Sequence, residues 1–243
     1  SDGEIIIMTA PAYTPPDKLF LRSAFDAISP RYDLLNQILS FGMSEAWRER
    51  SADLILKEPG FYPKTILDLG CGTGKFLECF LRRRAWGQAV GMDLSPEMLK
   101  RAREAVAGNV IWLEKDFDNL PFLDGSFDLM ISGFTLRSVR DLPAFLREVF
   151  RVLSPGGMAA FLDLTRPGKG ISKWLFYPYL RWVLPVVGWL ISGNRQAYRF
   201  LSSSVRTFQT PAKTAEAMKN ARFRDIRAQV FAFGAATLVI GKK

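Results

Sequence analysis

The stretch Thr65-Ile66-Leu67-Asp68-Leu69-Gly70-Cys71-Gly72-Thr73-Gly74 constrains this chain more than any other. Ile66, Leu67 and Leu69 suit a short strand covered on both faces. The glycines at alternating positions after it remove the Cβ atoms that would hold a ligand off the backbone. From Lys75 to Arg84 the spacing of Phe76, Leu77, Phe80 and Leu81 predicts a helix. The unit reads strand, loop, helix, and a ligand is expected on the loop.

Spacing separates the nucleotide motifs that use such a loop. A P-loop requires a glycine where Leu69 stands and a Ser or Thr where Phe76 stands, so that motif is excluded. The dinucleotide fingerprint places its third glycine on Lys75 and fits poorly. An acidic residue is expected at the end of the next strand, where a carboxylate can accept two hydrogen bonds from a ribose diol. Val90-Gly91-Met92-Asp93 supplies it.

The run Asp68-Leu69-Gly70-Cys71-Gly72-Thr73-Gly74 closely resembles the cofactor loop of class I S-adenosylmethionine-dependent methyltransferases. In that family the turn lies against the amino-acid part of the cofactor. The resemblance implies S-adenosyl-L-methionine as cofactor and S-adenosyl-L-homocysteine as product. Its cofactor-binding positions here would be Asp68, Gly70, Gly72, Thr73, Gly74, Met92, Asp93, Asp116, Phe117 and Gly133. Asp116 and Phe117 follow the third strand, Asn109 to Glu114, where an acid can accept from an exocyclic amine and a ring can offer its face to adenine.

The remaining elements follow in order. Residues 1–16 are proline-rich and expected to be loosely ordered, and Ser1 to Met8 lacks the pattern of a signal peptide. Helical spacing covers Asp17 to Ile28 and Met43 to Leu56, giving an N-terminal helical cap over 17–58. The cofactor core spans 62–166. Its strands are Thr65–Leu69, Gln88 to Asp93, Asn109 to Glu114, Ser126 to Phe134 and Met158 to Thr165, with helices from Ser95-Pro96 and over Leu142 to Leu153. An apolar, basic lid is expected over 167–209. The section 210–243 holds a last helix, capped by Thr210-Pro211, and a closing hairpin around Phe233-Gly234. Alternating strands and helices predict an α/β fold: a doubly wound, Rossmann-like, mostly parallel sheet of about seven strands with a C-terminal antiparallel hairpin. Residues 17–243 are expected to form one domain, with ligands beyond the carboxyl ends of the strands.

Composition narrows the chemistry. The chain has no histidine, which removes the commonest metal ligand and general base, and no metal is expected. Its cysteines, Cys71 and Cys79, sit in the loop and the following helix and suggest no disulfide framework, so a reducing, cytoplasmic location is expected. The formal charge is +9, and from Leu164 to Ala215 there is no Asp or Glu at all. In that section Trp174, Trp182 and Trp189 alternate with Arg and Lys, but Pro178, Arg181, Pro185 and Gly188 interrupt the apolar run, so no transmembrane helix is expected. Such a surface suits peripheral contact with the inner face of an anionic membrane. A homodimer interface is the competing use of the same surface. Nucleic-acid binding is not expected, because it would favour a basic face with stacking aromatics but not a long apolar section rich in Val, Leu and Pro.

Several segments outside the loop resemble one subgroup. Tyr32-Asp33-Leu34-Leu35-Asn36-Gln37-Ile38-Leu39-Ser40, Asn119-Leu120-Pro121-Phe122, Phe134-Thr135-Leu136-Arg137-Ser138-Val139, Arg151-Val152-Leu153-Ser154-Pro155-Gly156-Gly157 and Ala197-Tyr198-Arg199-Phe200-Leu201 are similar to the ubiquinone/menaquinone-biosynthesis C-methyltransferases. Departures include Ser44 for a usual histidine and Gly133 for a frequent serine. The resemblance implies methyl transfer to a ring carbon of a prenylated quinol, a lipophilic small molecule. Phospholipid N-methylation, or a non-enzymatic role as a cofactor- or RNA-binding assembly protein, are the alternatives. A quinol carbon is nucleophilic when the adjacent hydroxyl is ionised, and a free phenol has a pKa of about 10, so the site must favour the phenolate. Arg137 is the expected oxyanion partner. The proton would leave to water or through Tyr32, Tyr177 or Tyr198. Tyr32, Asn36, Arg199, Trp174 and Trp182 are the expected substrate-binding residues.

Overall fold

A computed structural model describes residues 17–40, 42–117, 119–165 and 210–243. The expected lid, with Trp174, Tyr177, Trp182, Tyr198 and Arg199, lies outside the described residues, as does the N-terminal stretch 1–16.

The chain opens with helices α1 (Lys18–Ile28), α2 (Tyr32–Leu39) and α3 (Met43–Leu56). The core alternates β1 (Thr65–Leu69), α4 (Lys75–Leu81), β2 (Gln88–Asp93), α5 (Pro96–Ala105), β3 (Val110–Glu114), β4 (Phe127–Gly133), α6 (Leu142–Val152) and β5 (Leu153–Leu164). After the undescribed section come α7 (Pro211–Asn220), β6 (Arg224–Phe231) and β7 (Ala236–Lys242). The strands form one 7-stranded sheet in the order β3-β2-β1-β4-β5-β7-β6, parallel except for β7, which runs antiparallel to both neighbours. This is the doubly wound, mostly parallel sheet with a closing hairpin that the sequence predicts.

Both faces are covered because adjacent residues on a strand point to opposite sides. On one face Ile66, Leu129 and Leu238 pack with Trp47 and Ile55 of α3 and Phe76 and Phe80 of α4. On the other, Leu67, Val90 and Met130 pack with Phe145 and Val149 of α6 and Met218 of α7. Phe80, Phe127 and Phe161 are among the largest side chains with almost no exposure, and burying each ring stabilises the fold by roughly 1.5–3 kcal/mol.

Helix starts are set where the sequence places them. The hydroxyl of Ser95 accepts from the backbone N–H of Met98 at 3.1 Å, with Pro96 at the first helical position, and Asp141 accepts from Ala144 N–H at 2.9 Å. Several boundaries shift by a residue, and two shift further. α4 ends at Leu81 rather than Arg84, as Arg83 turns its guanidinium back onto Asp53 of α3 and the carbonyl of Cys79. β5 begins at Leu153 rather than Met158, because Leu153 already pairs with Phe127 and the glycine turn lies inside the strand, where Ser154 donates its hydroxyl to Asp128.

The order reverses at β1, which has β2 on one side and β4 on the other. That switch point opens a crevice beyond the carboxyl ends of the strands.

Candidate active site

The glycine loop occupies this crevice. The backbone N–H groups of Gly70 and Cys71 both donate to the carbonyl of Met92, at 2.8 and 3.1 Å, so the loop is fastened to the end of β2. Gly70 has φ +70°, and a Cβ there would stand 2.5 Å from the side chain of Thr135. Only glycine fits both the left-handed backbone and the space. Asp93 completes the fastening: Oδ2 accepts from Gly72 N–H at 2.8 Å and Oδ1 from Ser95 N–H at 2.9 Å. Burial pushes its carboxyl above the ordinary value while those N–H donors pull the other way.

A cavity of about 540 Å³, counting its open mouth, lies beside the loop. Gly70, Gly72, Asp93, Phe117, Gly133 and Tyr32 are among its lining residues, so the structure brings these predicted positions together. The cap contributes Leu21 and Phe25 from α1 as well as Tyr32 from α2. The turn after β4 adds Phe134, Thr135 and Ser138. The amphipathic face of α1 is the signal that would have named Leu21, since its spacing shows a helix face but not what the face covers.

Other predicted positions stand behind this wall. Asp68 and Met92 are buried beneath the loop, Thr73 is buried within it, and Gly74 caps the start of α4 with φ +80°. Asp68 has no exposed surface and neither carboxyl oxygen has a hydrogen-bond partner among the described residues. Desolvation first, and then the nearby Asp93, push its pKa up to about 8. Asp116 precedes the cavity-lining Phe117 and is not itself among the lining residues; its Oδ2 accepts from the ammonium of Lys18 at 2.6 Å. Asn36 is one turn along α2 from Tyr32, and its backbone carbonyl accepts the hydroxyl of Ser40 at 2.6 Å.

Arg137 occupies the short helical turn Leu136–Ser138 and is 5% exposed. Its NH1 donates to Asp163 Oδ1 at 3.0 Å, an ion pair that joins this turn to the end of β5. Asp163 also accepts from Leu164 N–H at 2.8 Å, while its Oδ2 is buried without a partner among the described residues. Burial raises its pKa even though the Arg137 cation pulls it down. The sequence shows each charge separately but not the pairing, because the two residues are far apart along the chain.

The cap is tied to the crevice by polar contacts that the sequence does not reveal. Ser95 donates its hydroxyl to Asp26 of α1 at 2.5 Å, Thr73 donates to Asp33 of α2 at 2.8 Å, and Arg22 pairs with Glu114 at 2.8 Å. Phe25 and Tyr32 meet edge to face with ring centroids 6.2 Å apart. Among the described residues, no helix is long and apolar enough to cross a membrane.

The architecture recurs in solved structures. A SAM-dependent methyltransferase from Thermotoga maritima superposes with a TM-score of 0.63 over 92% of this chain and 99% of that chain, at 17% identity, a likeness of fold. Sequence similarity reaches further. A demethylmenaquinone methyltransferase from Thermus thermophilus is 43% identical over 223 residues, 90% of this chain and 99% of the relative. One from Deinococcus radiodurans is 36% identical over 226 residues, 92% of each. The model of the ubiE/COQ5 methyltransferase family matches residues 16–243. A glycine loop at the switch point of this sheet, a carboxylate at the end of β2 and a family match over nearly the whole chain agree, and the chain belongs to the ubiE/COQ5 methyltransferase family.

Proposed function

We propose that this methyltransferase moves a methyl group from S-adenosyl-L-methionine to a ring carbon of a prenylated quinol, demethylmenaquinol being the favoured acceptor. The observation that carries this reading is the 43% identity to the Thermus thermophilus demethylmenaquinone methyltransferase across almost all of both chains.

The residues of the crevice fit the cofactor. Gly70 and Gly72 present backbone without Cβ atoms, and Asp93 lines the same cavity. Met98 and Phe117 offer apolar walls to a planar base, and Asp116, the neighbour of Phe117 in the chain, is assigned to its exocyclic amine on sequence grounds. When bound, S-adenosyl-L-methionine supplies an electrophilic methyl on a sulfonium centre.

The protein's part is alignment and charge. Backbone at Gly70 and Gly133 and the ring of Tyr32 enclose the space where an acceptor carbon must be held about 3 to 3.5 Å from the methyl. Arg137 is the group we assign to the developing phenolate. The bond to Asp163 engages one of its several N–H donors and orients the rest. The ring hydroxyl's proton leaves to water, directly or relayed through the hydroxyl of Tyr32, which gives up its own proton as it receives one. Tyr177, Tyr198, Arg199, Trp174, Trp182 and Asn36 are assigned to acceptor binding and proton removal on sequence grounds. The acid-free, tryptophan-rich section from Leu164 to Ala215 supports entry of the prenyl tail from an anionic membrane surface.

One assay tests the reading. Labelled S-adenosyl-L-methionine is offered with prenylated naphthoquinol, prenylated benzoquinol and phosphatidylethanolamine in detergent. Label in the naphthoquinol supports the proposal, and transfer to the phospholipid alone overturns it. Failure to sediment with anionic vesicles at low salt would remove the membrane part.

A further inference from the structure

The amino-acid end of the cofactor carries an ammonium group, and a cation held at a partly closed site needs an acceptor, preferably a charged one. The acids of the cofactor loop are poorly placed for it. Asp68 is sealed beneath the loop with no exposed surface. Asp93 has each oxygen engaged by a backbone N–H, those of Gly72 and Ser95.

A third carboxylate reaches the loop from outside the nucleotide-binding core. Asp33, in the first turn of α2, accepts the hydroxyl of Thr73 on Oδ1 at 2.8 Å. Thr73 is itself 4% exposed and lies between the two glycines that make the turn. The neighbouring Tyr32 lines the cavity, with its Cε1 4.0 Å from where a Cβ on Gly72 would be. Tyr32 and Asp33 therefore stand together against the Gly72-Thr73 segment. The Oδ2 of Asp33 has no hydrogen-bond partner among the described residues.

We propose that Asp33 is the carboxylate that receives the cofactor's α-ammonium group, with Thr73 orienting it. This rests on the cofactor reading above and extends it: an element of the N-terminal cap, not of the Rossmann-like core, reads the amino-acid end. The Thr73 hydroxyl fixes one oxygen, which leaves the other directed by the same bond. Cofactor binding then draws the cap and the glycine loop together, because the ligand touches both.

The test separates charge from architecture. Asp33→Asn keeps an oxygen for the Thr73 hydroxyl and loses the charge. Wild type and variant, as the full 243-residue chain, are titrated by calorimetry with S-adenosylhomocysteine and with methylthioadenosine, which lacks the amino-acid end. The expected result is a loss of about tenfold or more in affinity for S-adenosylhomocysteine, with methylthioadenosine affinity and the ligand-free melting temperature unchanged. Asp33→Glu should recover part of the loss. Equal losses for both ligands, or no loss for either, overturn the proposal and leave Asp33 as a cap fastener. If the wild type binds neither ligand, the cofactor reading itself falls, and this proposal with it.

Discussion

The guanidinium of Arg137 lies 3.0 Å from the carboxylate of Asp163, with both side chains almost wholly buried, and this pair ties the turn after β4 to the end of β5. A buried ion pair is a weak source of net stability, but removing one partner strands the other charge away from water. Asp163→Ala should therefore lower unfolding stability by about 3–5 kcal/mol, while Asp163→Asn, which keeps an acceptor, loses less. Urea denaturation of both variants at pH 7 checks this. Replacing both partners by Met and Leu should restore much of the loss. If Asp163→Ala unfolds at the wild-type urea concentration, the pair does not hold the turn.

Asp68 leads to a pH dependence opposite to that of most carboxylates. Its pKa rises from 3.8 to about 8 on folding, so between those values the folded chain holds a proton that the unfolded chain releases. Stability contributed by the neutral form is fully present below about pH 4 and declines as pH climbs toward 8. Each pH unit crossed in that window removes at most about 1.4 kcal/mol from this source. Asp68→Asn mimics the protonated acid and removes the titration. Its melting temperature should match the wild type near pH 3.5 and exceed it by a growing margin as pH rises to about 8. Parallel melting curves across that range would show that Asp68 is ionised and compensated in the fold.

These residues also mark how far a sequence can be read. The β1 loop was legible because glycine spacing encodes backbone shape directly, and Asp93 because it ends a strand one βα unit away. The mostly parallel sheet followed from alternating strands and helices, and its two covered faces from Ile66 and Leu67, which pack on opposite sides; the order of the strands was not legible. What stayed hidden is contact across distance. Nothing in the local pattern of Leu136-Arg137-Ser138 tells that its cation meets Asp163 rather than solvent, or that Asp33 reaches Thr73. Asp68 was read as a cofactor ligand from its place in the motif, but the motif does not reveal that it is sealed below the loop.

Gly70 offers a test of the loop itself. Gly70→Ala adds a Cβ 2.5 Å from Thr135 Cγ2 and Oγ1, on a backbone at φ +70°. The clash and the left-handed strain act together, and the variant should lose cofactor binding along with several degrees of melting temperature. Thr135→Ala in the same chain removes the two atoms at 2.5 Å, leaves Thr135 Cβ at 3.0 Å, and should restore part of the stability while the backbone strain, about 1 kcal/mol or more, remains. Full restoration would mean that the positive φ is of no consequence. No restoration would mean that the backbone alone requires glycine.

Asp93 is the last case, and here isosteric replacement should fail. Its two oxygens face two donors, Gly72 N–H at 2.8 Å and Ser95 N–H at 2.9 Å. In Asp93→Asn one oxygen becomes an NH₂ group, which must face one of those donors, so a buried N–H loses its partner and meets another. Asp93→Asn should therefore behave much like Asp93→Ala, with a fall in S-adenosylhomocysteine affinity of about a hundredfold, as expected for the loss of charge-assisted bonds. Calorimetry gives the affinity, and amide hydrogen exchange at Gly72 and Ser95 in the ligand-free protein shows whether the fastening has opened. Faster exchange at both amides with undiminished affinity would assign Asp93 to the loop's architecture alone. Slow exchange with lost affinity would assign it to the ligand alone, and loss of both is the expected outcome if Asp93 both fastens the loop and meets the ligand.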